Sequence, residues 1–147
     1  MSKTDAWENR ILQLVFNNTN AADIGDATGL RGSSTAGALF FSLHTADPGE
    51  AGNQSTSEVS YGGYARVSIN RASGAGGFTV TGASVSPTTQ PVNFPACTSG
   101  SATATHFGIG TASSGAGVLL YKGALSGSIS ISTSITPQAQ TVTVTED

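Results

Sequence analysis

The sequence predicts an all-β fold: a jelly-roll-type β-sandwich of about eight strands carrying one N-terminal amphipathic helix. Three observations predict it. Beyond residue 30 the chain is mostly Gly, Ser, Thr and Ala; the whole sequence has 19 glycines and only 10% charged residues, against about 25% in an ordinary soluble domain. Strand-length apolar runs interrupt this background, among them Leu39-Phe40-Phe41-Ser42-Leu43, Phe78-Thr79-Val80 and Val118-Leu119-Leu120-Tyr121. Aromatic and β-branched residues between Gly/Ser/Thr turns suit a pleated, half-buried surface. Helical period, in contrast, occurs once, near the N-terminus.

That helix is expected to be about four turns long. Ser2 or Thr4 caps it, and Asp5 and Glu8 favour its positive end. Trp7, Ile11, Leu14 and Val15 recur at helical spacing, Leu12 and Phe16 form an adjoining strip, and Asn17-Asn18 is the stop. Residues 20–32 read as a loop, with room for one short helical turn around 21–24, in which Asp23 and Asp26 satisfy backbone donors as Asx turns. A strand over 38–44 ends in Asp47-Pro48-Gly49, strong turn chemistry. The polar stretch 50–60 has no apolar period and is expected to be an exposed loop. Residues 64–69 alternate in period two, and Gly74-Ala75-Gly76-Gly77 turns the chain into the next strand. Short strands follow at 83–86 and 92–94, where Pro87 and Pro91 confine them to ends or edges. A hairpin over 102–110 and 118–122 comes next, then strands at 127–132 and 141–145, the last with one buried face. The organisation expected is a helix or arm over 1–19 and a β-sandwich over 20–147, one domain overall.

At 147 residues the chain buries roughly 68–70% of its unfolded surface and needs no disulfide or metal. Its one cysteine, Cys97, forms no internal bridge. The first residues lead into no apolar signal region, and no run approaches a membrane span. A net charge of −3 with scattered Lys and Arg disfavours nucleic acid.

Catalytic and metal readings fare poorly. His44 and His106 are the only histidines, and neither has a metal-ligand spacing to an acid, so both are read as structural. Cys97 lacks a basic neighbour or helix N-terminus and reads as a small buried filler. Ser113-Ser114-Gly115 is not a nucleophile elbow, and residues 74–77 lack the Lys-Ser/Thr of a phosphate loop. Arg66 and Arg71 either pair with acids across a subunit boundary or lie on a solvated strand face. No catalytic residue, cofactor or metal is expected, and the chain is read as a non-enzymatic structural protein.

Five motifs occur in order: Leu43-His44-Thr45-Ala46-Asp47-Pro48-Gly49, Gly63-Tyr64-Ala65-Arg66, Val92-Asn93-Phe94-Pro95, Thr105-His106-Phe107-Gly108-Ile109, and Leu120-Tyr121-Lys122-Gly123-Ala124-Leu125. With the N-terminal helix and Ile24-Gly25-Asp26-Ala27, they resemble a family of small tailed-phage structural proteins known as phage tail fibre or tail fibre-like proteins. The resemblance covers nearly the whole chain and implies a virion component, made in the bacterial host cytoplasm. Small jelly-roll proteins of this size also serve as capsid decoration or cement proteins. Capsid decoration is placed first here, with the major capsid protein as partner, because charge-poor surfaces approach a lattice closely and many weak contacts sum. A tail or tail-fibre subunit is the alternative; a carbohydrate-binding receptor module is the third.

Self-association is expected too. The helix's apolar strip is wide for a single buried contact, and an apolar stripe left in water is rarely tolerated. The candidate interface residues are Trp7, Ile11, Leu14 and Phe16, followed by Tyr64 and Arg66. Phe40 and Phe41 face opposite sides of their strand. One therefore belongs to the core and the other beneath the helix, a second sheet or another subunit.

Overall fold

The computed structural model describes residues 3–22, 24–25, 29–30, 32–139 and 141–146. Ser2 as a cap, the Asx turns of Asp23 and Asp26, and Asp26-Ala27 of the family-like segment lie outside these residues. The fold is all-β with one N-terminal helix and several antiparallel sheets. Helix α1 spans Asp5–Phe16, and the strands are β1 (Ala38–His44), β2 (Val67–Asn70), β3 (Phe78–Thr81), β4 (Ser84–Pro87), β5 (Val92–Asn93), β6 (Ser101–Gly110), β7 (Leu119–Ser132), β8 (Gln138–Ala139) and β9 (Val144–Thr145). They form sheets of four strands (β2-β1-β6-β7), three (β3-β4-β9) and two (β5-β8). No helix among the described residues is long and apolar enough to cross a membrane.

Internal contacts divide the chain into two compact units. One comprises Met1–Ala38, Ile69–Thr89 and Val142–Asp147; the other comprises Leu39–Ser68 and Gln90–Thr141.

In the first unit α1 packs on β3 and β4. Its buried face is Glu8, Leu12 and Phe16, while Trp7, Ile11, Leu14 and Val15 are half-buried. The strip read as secondary is therefore the one that faces the strands. Phe16 meets Phe78 edge to face at 4.9 Å between ring centres, the geometry the ring quadrupoles prefer. Thr4 is the N-cap by backbone alone: its carbonyl accepts from the Trp7 and Glu8 amides at 2.8 and 3.0 Å. The last turn of α1 contains no basic residue. Arg71 supplies one, donating to the Leu14 and Val15 carbonyls at 2.8 and 2.6 Å and to Ala36 O at 3.1 Å. A cation on otherwise orphaned helix-end carbonyls satisfies them and complements the dipole. Arg71 thus occupies neither place expected of it. β3 and β4 form a hairpin through Gly82 and Ala83, with Gly82 at φ +60°. Val85 pairs with Val144 of β9, and the 141–145 segment buries Val142 and Val144 as its alternation predicts.

In the second unit β6 lies antiparallel to β1, Phe40 opposite Gly110 through His44 opposite His106, and antiparallel to β7 on its other side. Phe41 is fully buried and Phe40 half-buried. Residues 118–122 and 127–132, read as two strands, fall, from Leu119 onward, in one strand, β7. The surplus length leaves the ladder in two places. Leu120 has no opposite residue between the Gly110–Leu119 and Ile109–Tyr121 pairs, and residues 125–128 bulge out opposite Thr105. β7 ends the sheet order, so these bulges interrupt an outer edge.

Candidate interaction site

The second unit gathers a constellation of polar side chains around the ends of β1 and β6. On β1, Ser42 and His44 are fully buried, and the β6 residue opposite Ser42 is Gly108. A Cβ at Gly108 would come within 2.7 Å of His44 Nε2 and 2.8 Å of Ser42 Oγ. A Cβ at Gly110 would clash with the side chain of Gln54, itself fully buried. The two glycines make the room that three polar side chains fill.

All three are hydrogen-bonded, as buried polar groups must be. The only group Thr56 offers His44 Nδ1 is its carbonyl, at 2.8 Å, so Nδ1–H donates. Nε2 is then the acceptor for the Ser42 hydroxyl, also at 2.8 Å. Gln54 donates to Phe40 O at 3.3 Å and accepts from the Ala112 amide at 2.9 Å. Its own amide donates to Ala116 O at 2.8 Å.

Beside them Arg66 forms a two-pronged ion pair with Glu58, both contacts at 2.7 Å. Side-chain exposure is 2% for Arg66 and 16% for Glu58. Arg66 also donates to Ala112 O at 2.9 Å and Gly115 O at 2.7 Å, so one guanidinium binds the 58–66 segment to the 111–118 loop. The Tyr64 hydroxyl donates to Glu58 Oε1 at 2.8 Å and accepts from the Leu43 amide at 3.2 Å. Burial holds the Tyr64 hydroxyl far above its ordinary range, and Glu58 pushes it the same way. Tyr64 stacks on Phe94, and its neighbour Tyr61, pushed up to about 12 by burial, donates to Pro95 O at 2.8 Å.

At the surface the Asp47 carboxylate accepts from the Gly49 amide at 2.9 Å. Lys122 of β7 lies 3.1 Å from Asp47 Oδ1 and 3.1 Å from Glu50 Oε1. Asp47 titrates below its ordinary value, first because of the Gly49 amide and then because of Lys122. Lys122 titrates above its own, through Asp47 first and Glu50 second. Leu120, 39% exposed, lies along one recess with Glu50 and Lys122; Val118, two residues earlier, is 61% exposed.

Of the residues expected at an interface, Trp7, Ile11 and Leu14 are half-buried in the first unit and Tyr64 is half-buried in the second. Phe16 and Arg66 are enclosed by their own chain, Phe16 against Phe78 and Arg66 against Glu58 and two carbonyls. Neither presents a free surface. His106 donates from Nδ1 to the Thr105 hydroxyl, which itself donates to Thr45 O at 2.9 Å. Cys97 is a buried free thiol. Sequence reading missed Gln54 and Glu58, and it held Leu120 and Lys122 only as members of the fifth motif, with no role of their own.

All five family-like motifs supply this constellation: His44 and Asp47, Tyr64 and Arg66, Phe94 and Pro95, Gly108, and Lys122. A family model described as podophage GP4 fiber I protein gp80 matches residues 2–145. The chain belongs to this family. As a phage fiber-family protein it is a structural component of the virion. No curated protein matches it. In this fiber-family chain the motifs that carry the resemblance include residues that hold loops 45–58 and 111–118 in place.

One consequence is measurable. Burial, the largest influence, lowers the His44 pKa from 6.5; Arg66 and His106 lower it further, and the Thr56 carbonyl and Glu58 oppose them. Folded His44 is neutral where the unfolded chain begins to take up a proton. Its contribution is therefore complete above pH 6.5 and is lost as pH falls toward the folded value. Asp47, lowered from 3.8, loses its contribution only below that value. Urea unfolding between pH 7.5 and 5 should show falling stability, and His44→Gln should flatten the slope. An unchanged slope in the variant refutes the assignment.

Proposed function

We propose that this chain is a non-enzymatic fibre subunit of a tailed phage, acting through protein–protein contact. The match of the fiber family to residues 2–145 carries this reading. The sequence alone put capsid decoration first; the fibre role takes its place because it is the one the family's description names. The site's chemistry agrees with a structural role. The polar groups of His44, Gln54, Arg66 and Tyr64 bond to neighbouring side chains and backbone, which fixes loop shape. The next subunit of the fibre contacts the half-buried Trp7, Ile11 and Leu14 of α1.

Two measurements test the proposal. Cryo-EM of purified particles should find the chain in few copies on the tail; a shell over the head would make it a decoration protein. Trp7→Ser with Ile11→Ser should abolish self-association in sedimentation velocity while leaving the β circular-dichroism signal intact. Undiminished assembly would show that the helix serves packing within the chain alone.

A further inference from the structure

We infer that Leu120, with the carboxylates of Asp47 and Glu50, forms a preorganised docking spot for a basic, apolar surface of another virion protein. The inference rests on the virion role above and adds where on the chain the partner binds and what its chemistry is. Leu120 is the bulged residue of β7, without a partner across the ladder, and bulges re-aim side chains. Beside it lies a recess of about 260 Å³ lined by Gly49, Glu50, Gly52, Leu119, Tyr121 and Lys122 as well as Leu120 itself. The 111–118 loop leading to Val118 is fixed from beneath by Arg66 and Gln54. Taking an ion pair out of water is costly, and here its geometric result is a fixed loop that leads into β7 just before Leu120. Contacts fixed before binding lose little entropy on binding, and apolar anchors inside a polar rim are how binding spots are built.

Charge selects the occupant. The Glu50 and Asp47 side chains are 95% and 53% exposed, whereas Lys122, which they share, is 24% exposed. The rim facing outward is acidic. A second copy, bearing the same rim on a chain of net charge −3, would bring like charges together, and nucleic acid is excluded for the same reason. A surface carrying Lys or Arg beside apolar side chains is complementary.

The test uses particles purified from a phage lacking this chain, to which the labelled full-length chain is added back at several salt concentrations. Leu120→Ser is expected to weaken binding about tenfold, the scale of a central anchor. Glu50→Lys should weaken it several-fold at low salt and little at high salt, because exposed charges are screened. Circular dichroism should be unchanged, since both side chains are exposed. Equal binding by the variants and the native chain overturns the inference while leaving the virion role standing. Self-association of the isolated chain that Leu120→Ser removes also overturns it, in favour of a second copy. Failure of the native chain to bind at all overturns the virion reading and this partner with it.

Discussion

Arg66→Met is expected to lower the unfolding free energy by about 3–5 kcal/mol, because removing one member of a buried pair leaves the other uncompensated. With side-chain exposures of 2% and 16%, the Arg66–Glu58 pair is shielded enough for that figure to apply. The variant loses more than a charge partner. Glu58 keeps only the Tyr64 hydroxyl, and the Ala112 and Gly115 carbonyls each lose a charged donor. Pairing Arg66→Met with Glu58→Leu should recover part of the loss, since the coupled residues are not additive. Urea denaturation measures both. A loss below about 1 kcal/mol would mean that the pair behaves like an exposed one.

Phe16→Ala is expected to cost about 3–5 kcal/mol, the range for emptying a fully buried aromatic site. Phe16 is 0% exposed and faces Phe78, itself 1% exposed, so the void is not open to water. Ile11→Ala, one turn earlier but half-buried, should cost less. Trp7 is the only tryptophan and sits in α1, so its fluorescence reports this unit directly. If Phe16→Ala moves the fluorescence transition to lower urea and leaves the β-dominated circular-dichroism transition behind, the two units unfold separately, and a single two-state free energy does not apply. A Phe16→Ala cost no greater than that of Ile11→Ala would contradict the packing described.

The helix and β1 were legible because their signals are local. Helical spacing with acids in the first turn marked Asp5–Phe16, and an apolar run ending at Asp-Pro-Gly marked Ala38–His44. Residues 64–66 were read as strand from their alternation, yet β2 begins only at Val67. Tyr64 and Arg66 are committed to Glu58 instead, six and eight residues earlier, a pairing that no periodicity encodes. Stretch 50–60 read as exposed because it is polar, although Gln54 and Val59 are buried. The room for Gln54 comes from Gly110 and Gly117, far away in sequence. Local pattern reveals elements; the site is made of contacts between distant residues, and only the ordered motifs hinted at it.

The broken outer edge of β7 has a consequence for crowding. A long strand with one free side is a template on which further chains can add, backbone to backbone, until they form an insoluble ribbon. Here the template is cut twice, at Leu120 and at residues 125–128, and the uncut stretch between carries Lys122. Copies brought together at high local density would therefore find no long unbroken edge on β7 along which to fuse into one continuous sheet.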